Sequence, residues 1–268
     1  MNSILTAVLI VGIIGLVCGI ALAVASIALA VPVDEKAEKI TEMLPGANCG
    51  ACGFSGCAGY AAALSEGKTE NTALCNPGGT EVSKQIASYL GLEAGEVEPM
   101  AAVVLCQGSK ENATTKMEYS GVKSCKLASQ LFGGPKDCVY GCLGFGDCVN
   151  ACPYNAIHIC DGVARINPAV CKACKMCIET CPKGLIELLP LNQSKSAVLC
   201  KNRDKGVLAR KECKMACIGC MKCVKVCEED AVTVANFNAH VDQTKCTGCG
   251  KCHEACPVKC IDILNLKA

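Results

Sequence analysis

The sequence predicts an α+β chain in four parts: a single N-terminal transmembrane helix, a small mainly helical domain, and two tandem modules of short strands and short helices. Three observations predict this. The first 33 residues carry no charge, the 27 cysteines among 268 residues fall into tight groups, and the chain repeats itself from Ala101 onward. The expected boundaries are 1–33 for the anchor, 34–100 for the helical domain, 101–195 for the first module and 196–268 for the second.

The anchor comes first. From Ile4 to Val31 the chain is almost entirely Ile, Leu, Val, Ala and Gly. A bilayer core needs about 20 apolar residues in a helix, so the segment is long enough to span. Ala28-Leu29-Ala30 resembles a signal-peptidase site. The segment nevertheless lacks a basic start, and its apolar run exceeds the roughly 7–15 residues of a signal peptide. Lys36 and Lys39, the first basic residues, follow the helix and favour a cytosolic C-terminal side. Gly15 and Gly19 form a small-residue pattern of the kind that seats a second helix.

Cysteine spacing sets the rest. One residue in ten is Cys, which in a short secreted chain would suggest disulfides. Here the intervals are two or three residues. Thiols that close in one segment converge on a metal more readily than they pair with each other. Free thiolates need a reducing compartment, which again argues for a cytosolic bulk. The chain has no Trp, four Phe and five Tyr, so its core must be tied by something other than aromatic packing. Its formal net charge of +1 gives no argument for nucleic acid.

Residues Asp34 to Met43 read as a polar helix, and a glycine-rich group follows: Cys49-x2-Cys52-x4-Cys57, with Cys75 further on. Helices are expected from Ala58 to Glu66 and from Glu81 to Leu90. In the modules, Ala102-Val-Val-Leu-Cys106 reappears as Ser196-Ala-Val-Leu-Cys200, and Cys138-x3-Cys142 reappears as Cys213-x3-Cys217. Hairpins are expected at Ala156 to Ile166, around the turn Asp161-Gly162, and at Ala231 to Val241.

Cys171-x2-Cys174-x2-Cys177-x3-Cys181-Pro182 and Cys246-x2-Cys249-x2-Cys252-x3-Cys256-Pro257 are the bacterial ferredoxin run. In it three close thiolates hold one cubane and the fourth ligates its neighbour. Each run needs a partner. Cys217-x2-Cys220-x2-Cys223-x3-Cys227 serves the second, with Glu228 where Pro is usual. Cys142-x5-Cys148-x3-Cys152-Pro153 serves the first, but Phe145 stands where a Cys should be. Cys138 is expected to supply that thiolate, with Cys106 and Cys125 as the next candidates. Isolated zinc sites do not predict paired runs of this kind.

Crosswise pairing gives five [4Fe–4S] clusters. Their expected ligands are Cys49, Cys52, Cys57 and Cys75; Cys138, Cys142, Cys148 and Cys181; Cys171, Cys174, Cys177 and Cys152; Cys217, Cys220, Cys223 and Cys256; and Cys246, Cys249, Cys252 and Cys227. Cys18, Cys106, Cys125, Cys160, Cys200, Cys213 and Cys260 are left over. They leave room for a sixth cluster, although no spacing marks one, and free Cys commonly packs as a small hydrophobe. No catalytic residues are expected: there is no Gly-x-Gly-x-x-Gly opening a helix and no nucleophile–base pair. His158, His240 and His253 show no ligand arrangement.

A membrane helix, then Cys49-x2-Cys52-x4-Cys57…Cys75, then bacterial-ferredoxin-like (βαβ)2 modules resembles the B subunit of the Rnf electron-transport complex, over essentially the whole chain. The resemblance implies a subunit of a ferredoxin–NAD⁺ oxidoreductase that couples electron flow to Na⁺ or H⁺ transport. It implies an electron relay that accepts from reduced ferredoxin and delivers to flavin-bearing subunits. Other membrane and peripheral subunits and the cell (inner) membrane are its implied partners, without nucleic acid. Four ferredoxin-type clusters match the longer form of the family; a shorter relative serves a complex that keeps a redox-sensing regulator reduced. The alternative from another class is a membrane-tethered scaffold that stores or delivers clusters.

Overall fold

The computed structural model describes residues 2–28, 34–191 and 195–264. The expected end of the membrane segment and the Ala28-Leu29-Ala30 reading fall largely on residues 29–33, outside the described residues, as does part of the boundary between the modules.

Helix α1 runs Asn2–Ala28. At 1.5 Å per residue its 27 residues extend about 40 Å, more than the roughly 30 Å of a bilayer core. Val8–Ser26 is a candidate membrane span. Its large apolar side chains are exposed on all sides, as suits a helix surrounded by lipid.

Helices α2 (Glu35–Met43), α3 (Cys57–Ser65) and α4 (Gly79–Leu90) form the helical domain. Asp34 caps α2 by accepting from the Lys36 and Ala37 amides at 3.0 and 3.3 Å. It also accepts from the Ser65 hydroxyl of α3, which joins the two helices. Gly91, in the left-handed region at φ 68°, ends α4. The apolar faces meet at Ile40, Tyr60, Leu64 and Ile86. The Tyr60 hydroxyl, buried with its ring, donates to the Asn71 carbonyl at 2.7 Å.

The first module contains β1 (Met100–Val104), α5 (Cys125–Gln130), α6 (Asp147–Asn150), β2 (Ile157–Cys160), β3 (Val163–Ile166), α7 (Met176–Thr180) and β4 (Ile186–Pro190). The second contains β5 (Lys195–Val198), α8 (Gly206–Glu212), α9 (Lys222–Lys225), β6 (Val232–Ala235), β7 (Asn238–Val241), α10 (Lys251–Ala255) and β8 (Ile261–Leu264). All pairings are antiparallel and two-stranded: β2 with β3 and β6 with β7 as hairpins, β1 with β4 and β5 with β8 as long-range closures. Each module therefore has two small sheets with one-turn helices between them. The core in each is made of strand residues such as Val104, Ile157, Val163 and Ile186 together with cysteine side chains.

The modules are joined along several contacts. Leu105, Leu189, Ala197 and Leu199 pack as one apolar cluster across them. The Thr114 amide donates to the Glu212 carbonyl at 3.0 Å, and the Lys214 amide to the Asn112 carbonyl at 2.8 Å. Lys201 forms an ion pair with Glu187.

Candidate metal centres

Each ferredoxin-type run adopts the same backbone path. The residue two after the first Cys has a positive φ in all four: Gly144 (75°), Ala173 (51°), Gly219 (63°) and Gly248 (72°). So does the residue four after it: Gly146 (89°), Lys175 (64°), Met221 (59°) and Gly250 (80°). Alternating left-handed residues turn successive amides toward one concavity, which suits an anion. One-turn helices α6, α7, α9 and α10 then begin directly after the second of these residues. Glycine is required most clearly at Gly144, where an added Cβ would sit 2.5 Å from the Gly162 carbonyl oxygen in the β2–β3 turn.

The thiols gather around cavities. Cys49, Cys52, Cys57 and Cys75 line one in the helical domain. The Cys57 amide there is held by the Asn48 side chain at 2.9 Å. Cys217, Cys220, Cys223 and Cys256 line another, and Cys227, Cys246, Cys249 and Cys252 a third. Cys171, Cys174 and Cys152 crowd Cys177. Burial, with those three thiols beside it, pushes the Cys177 thiol up to about 12. These four groups match the expected sets.

The remaining set differs in one member. Cys142, Cys148 and Cys181 share their cavity with Cys125, not Cys138. Burial raises the Cys148 thiol to about 12, with Cys142, Cys125 and Cys181 as the neighbouring thiols that add to it. Cys125 is the first residue of α5. The Asp147 carboxylate accepts from the Ser124 hydroxyl at 2.9 Å and from the Cys125 and Lys126 amides at 3.0 Å each, so it fixes the start of that helix. Phe145 packs against Tyr119 with ring centroids 5.3 Å apart and planes tilted by 42°, and both rings pack on the Cys125, Ala128 and Leu143 cluster. Phe145 thus packs against the segment that carries Cys125.

Cys138 lies instead in a separate cavity with Cys106, Cys200 and Cys213, between the two modules. Of the other left-over cysteines, Cys260 is fully buried beside Cys256, their sulfurs 3.7 Å apart. It stands four residues after Cys256, where the first module has Leu185 four after Cys181, and so fills a core position. Hydrogen bonding from the Cys260 thiol, which outweighs burial, lowers Cys256 to about 5. Cys160, at the end of β2, is exposed.

The residues present fit iron–sulfur cubanes. Thiolate is the ligand such clusters take. Among the described residues no group of three or more His, Cys, Asp or Glu side chains closes on a single metal ion. The thiols instead converge in groups of four around shared cavities, the arrangement a cubane takes. Because the ligand thiols named above with raised values are protonated at neutral pH when no metal is bound, cluster binding must release their protons.

The sites adjoin one another. The Lys175 ammonium, between Cys174 and Cys177, donates to the Ala51 carbonyl of the helical domain at 3.1 Å, and Cys49 is among the thiols near Cys174. The Cys49 site therefore faces the Cys171 site.

Known protein families match the same segments. An Fe-S cluster family matches residues 44–76, a 4Fe-4S binding domain matches 168–184, and a 4Fe-4S dicluster domain matches 216–262. Among characterised relatives, the B subunit of the Na⁺-translocating ferredoxin:NAD⁺ oxidoreductase complex of Acetobacterium woodii is 42% identical, over 91% of this chain and 73% of the relative. The B subunit of the ion-translocating oxidoreductase complex of Methanosarcina acetivorans is 41% identical over 87% of this chain and 88% of the relative. The B subunit of the proton-translocating ferredoxin:NAD⁺ oxidoreductase complex of Clostridium ljungdahlii is 38% identical over 91% and 86%.

Proposed function

Because the chain belongs to the B subunits of the ion-translocating ferredoxin:NAD⁺ oxidoreductase (Rnf) complexes, we propose that it takes electrons from reduced ferredoxin and relays them through a series of [4Fe–4S] clusters to flavin-bearing partner subunits. Its coarse role, an iron–sulfur electron-transfer subunit of that oxidoreductase, follows from family membership and from the 4Fe-4S domains it carries. The finer reading is that α1 anchors residues 34–268 at the cytosolic side of the cell membrane. The helical domain then carries one cluster and each module two, on the five thiol sets described above with Cys125 in place of Cys138.

One observation supports the relay above all. Every proposed cluster meets four thiols, so no coordination position is left open to a substrate or to an acceptor of the cluster itself. An open position is what a catalytic metal keeps. Electron transfer needs none, only neighbouring centres.

An anaerobic redox titration of the full chain, followed by low-temperature EPR, tests the reading. Clusters that reduce and reoxidise reversibly in the potential range of ferredoxins are expected. Clusters that leave the chain for an apo-ferredoxin, or that do not cycle, would overturn the relay and favour the delivery scaffold.

A further inference from the structure

We propose that Cys106, Cys138, Cys200 and Cys213 bind a sixth [4Fe–4S] cluster, two thiolates from each module, which bridges the clusters of the first module to those of the second. The inference goes beyond the five-cluster relay and stands on its own geometry.

The four cysteines line one cavity at the seam of the modules. Groups of four thiols line the cavities of the Cys49, Cys125, Cys217 and Cys246 sets in the same way. Three of the four residues are buried and Cys200 nearly so.

The arrangement obeys the internal repeat. Cys106 accepts from the Gly108 amide at 3.3 Å and the Cys142 amide at 3.4 Å. Cys200 accepts from the Asn202 amide at 3.4 Å and the Cys217 amide at 3.3 Å. In each case the donors are the residue two later and the first Cys of that module's ferredoxin run. Cys138 and Cys213 each stand four residues before that same first Cys. The site is thus two copies of one half-site facing each other. Amides directed at sulfur are the hydrogen bonds that a thiolate ligand takes and a packed thiol does not require.

Charge supplies an independent argument. Lys136 lines the cavity and is only 8% exposed. Its ammonium donates to the Gly108 carbonyl at 2.6 Å and the Gly162 carbonyl at 3.1 Å, and it pairs with no carboxylate among the described residues. A buried cation without a counter-ion is costly. A cubane held by four thiolates is an anion and answers that cation. Asn202, fully buried, directs its amide nitrogen to Cys138 at 3.4 Å and to Glu212 at 2.8 Å, which fixes the wall on the other side.

The assignment also closes the cysteine inventory. With six sites filled, Cys18 in α1, exposed Cys160 and core-filling Cys260 remain. Cys142 and Cys217 belong to the proposed ligand sets on either side, and their amides donate to this site. A cluster held here would supply a one-electron carrier between those two sets, taking an electron from one side and giving it to the other without bond or proton exchange.

The test is an iron, sulfide and zinc count on the anaerobically reconstituted full chain, with native-state alkylation and mass mapping of each thiol. We expect about 24 iron atoms per chain, four per cubane, and protection of Cys106, Cys138, Cys200 and Cys213. The double variant Cys106→Ser/Cys213→Ser should hold about five-sixths of the wild-type iron, whereas Cys160→Ser should hold all of it. If the double variant fails to fold, the wild-type count and alkylation map decide alone. A wild-type count of about 20 iron atoms with these four thiols alkylated, a double variant with undiminished iron, or one bound zinc per chain would overturn the bridge. A count of about 20 with reversible clusters would leave the five-cluster relay standing; loss of reversibility would remove the relay instead.

Discussion

Asp147 illustrates how a single side chain sets a cluster site it does not ligate. Desolvation would raise its carboxyl, but the amides of Lys126 and Cys125 and the Ser124 hydroxyl outweigh that and hold it below the usual carboxylate value. These same three donors fix the start of α5 and therefore the position of Cys125. Asp147→Ala should leave the fold largely in place, since losing a helix N-terminal partner costs on the order of 1 kcal/mol. It should selectively weaken the cluster beside Cys148, seen as faster loss of about four irons to a chelator. Asp147→Asn, which keeps one acceptor oxygen, should lie between. Equal chelation rates for all three proteins would show that Cys125 is held by other means. The spacing alone could not identify Cys125. The Phe145 vacancy announces a missing thiolate, but the substitute comes from a polar segment without a repeat partner. The Ser124-Cys125 helix start is the one local signal that points to it.

Among the elements, the hairpins and one-turn helices are the legible part. Asp161-Gly162 marks the first turn. The second, Asn236-Phe237, lacks glycine yet is also left-handed at both residues, with φ 48° and 59°, and is legible only through the repeat. The closing pairs β1–β4 and β5–β8 join strands some 60 to 90 residues apart. No turn residue can announce pairs between strands so far apart in the chain. The ligand loops themselves yield a paired test. Gly144→Ala meets the Gly162 carbonyl oxygen and a left-handed φ at once, and should destabilise the first module by roughly 2–4 kcal/mol. At the equivalent position, Ala173→Gly relieves a left-handed alanine but removes a buried methyl. These effects are about 1 kcal/mol each, so the result should be near neutral. Thermal unfolding of the two holo variants measures the contrast; a neutral Gly144→Ala would show that the loop shifts away from the hairpin freely.

At the scale of the whole molecule, charge is distributed unevenly. Between Cys200 and Cys227 lie eight basic residues and only Asp204 and Glu212, in a chain of net charge +1. Lys201 is occupied by Glu187, while Arg203, Lys205, Arg210, Lys211, Lys214, Lys222 and Lys225 are exposed. Val207, Leu208 and Met221 are exposed among them, and so is Cys220, a member of one proposed ligand set. An apolar centre with a basic rim beside a proposed cluster site suits a transient acidic electron donor. Charge complementarity mainly raises the on-rate, and the Debye length falls from about 30 Å at 0.01 M salt to about 8 Å at 0.15 M. Arg203→Glu/Lys205→Glu should therefore slow reduction by ferredoxin several-fold at low salt, with iron content intact, and the difference should fade as salt rises. Equal stopped-flow rates at low salt would move the docking site away from the second module.

The cavity shared by the two modules also bears on how the chain is made. Cys106 and Cys138 are synthesised before their counterparts, and Cys213 follows Cys138 by 75 positions. At about 5–20 residues per second, the early pair waits roughly 4–15 s on the ribosome before a complete ligand set exists. The other two proposed thiol sets of the first module lie wholly within it, whereas the seam set is complete only when the second module has been made.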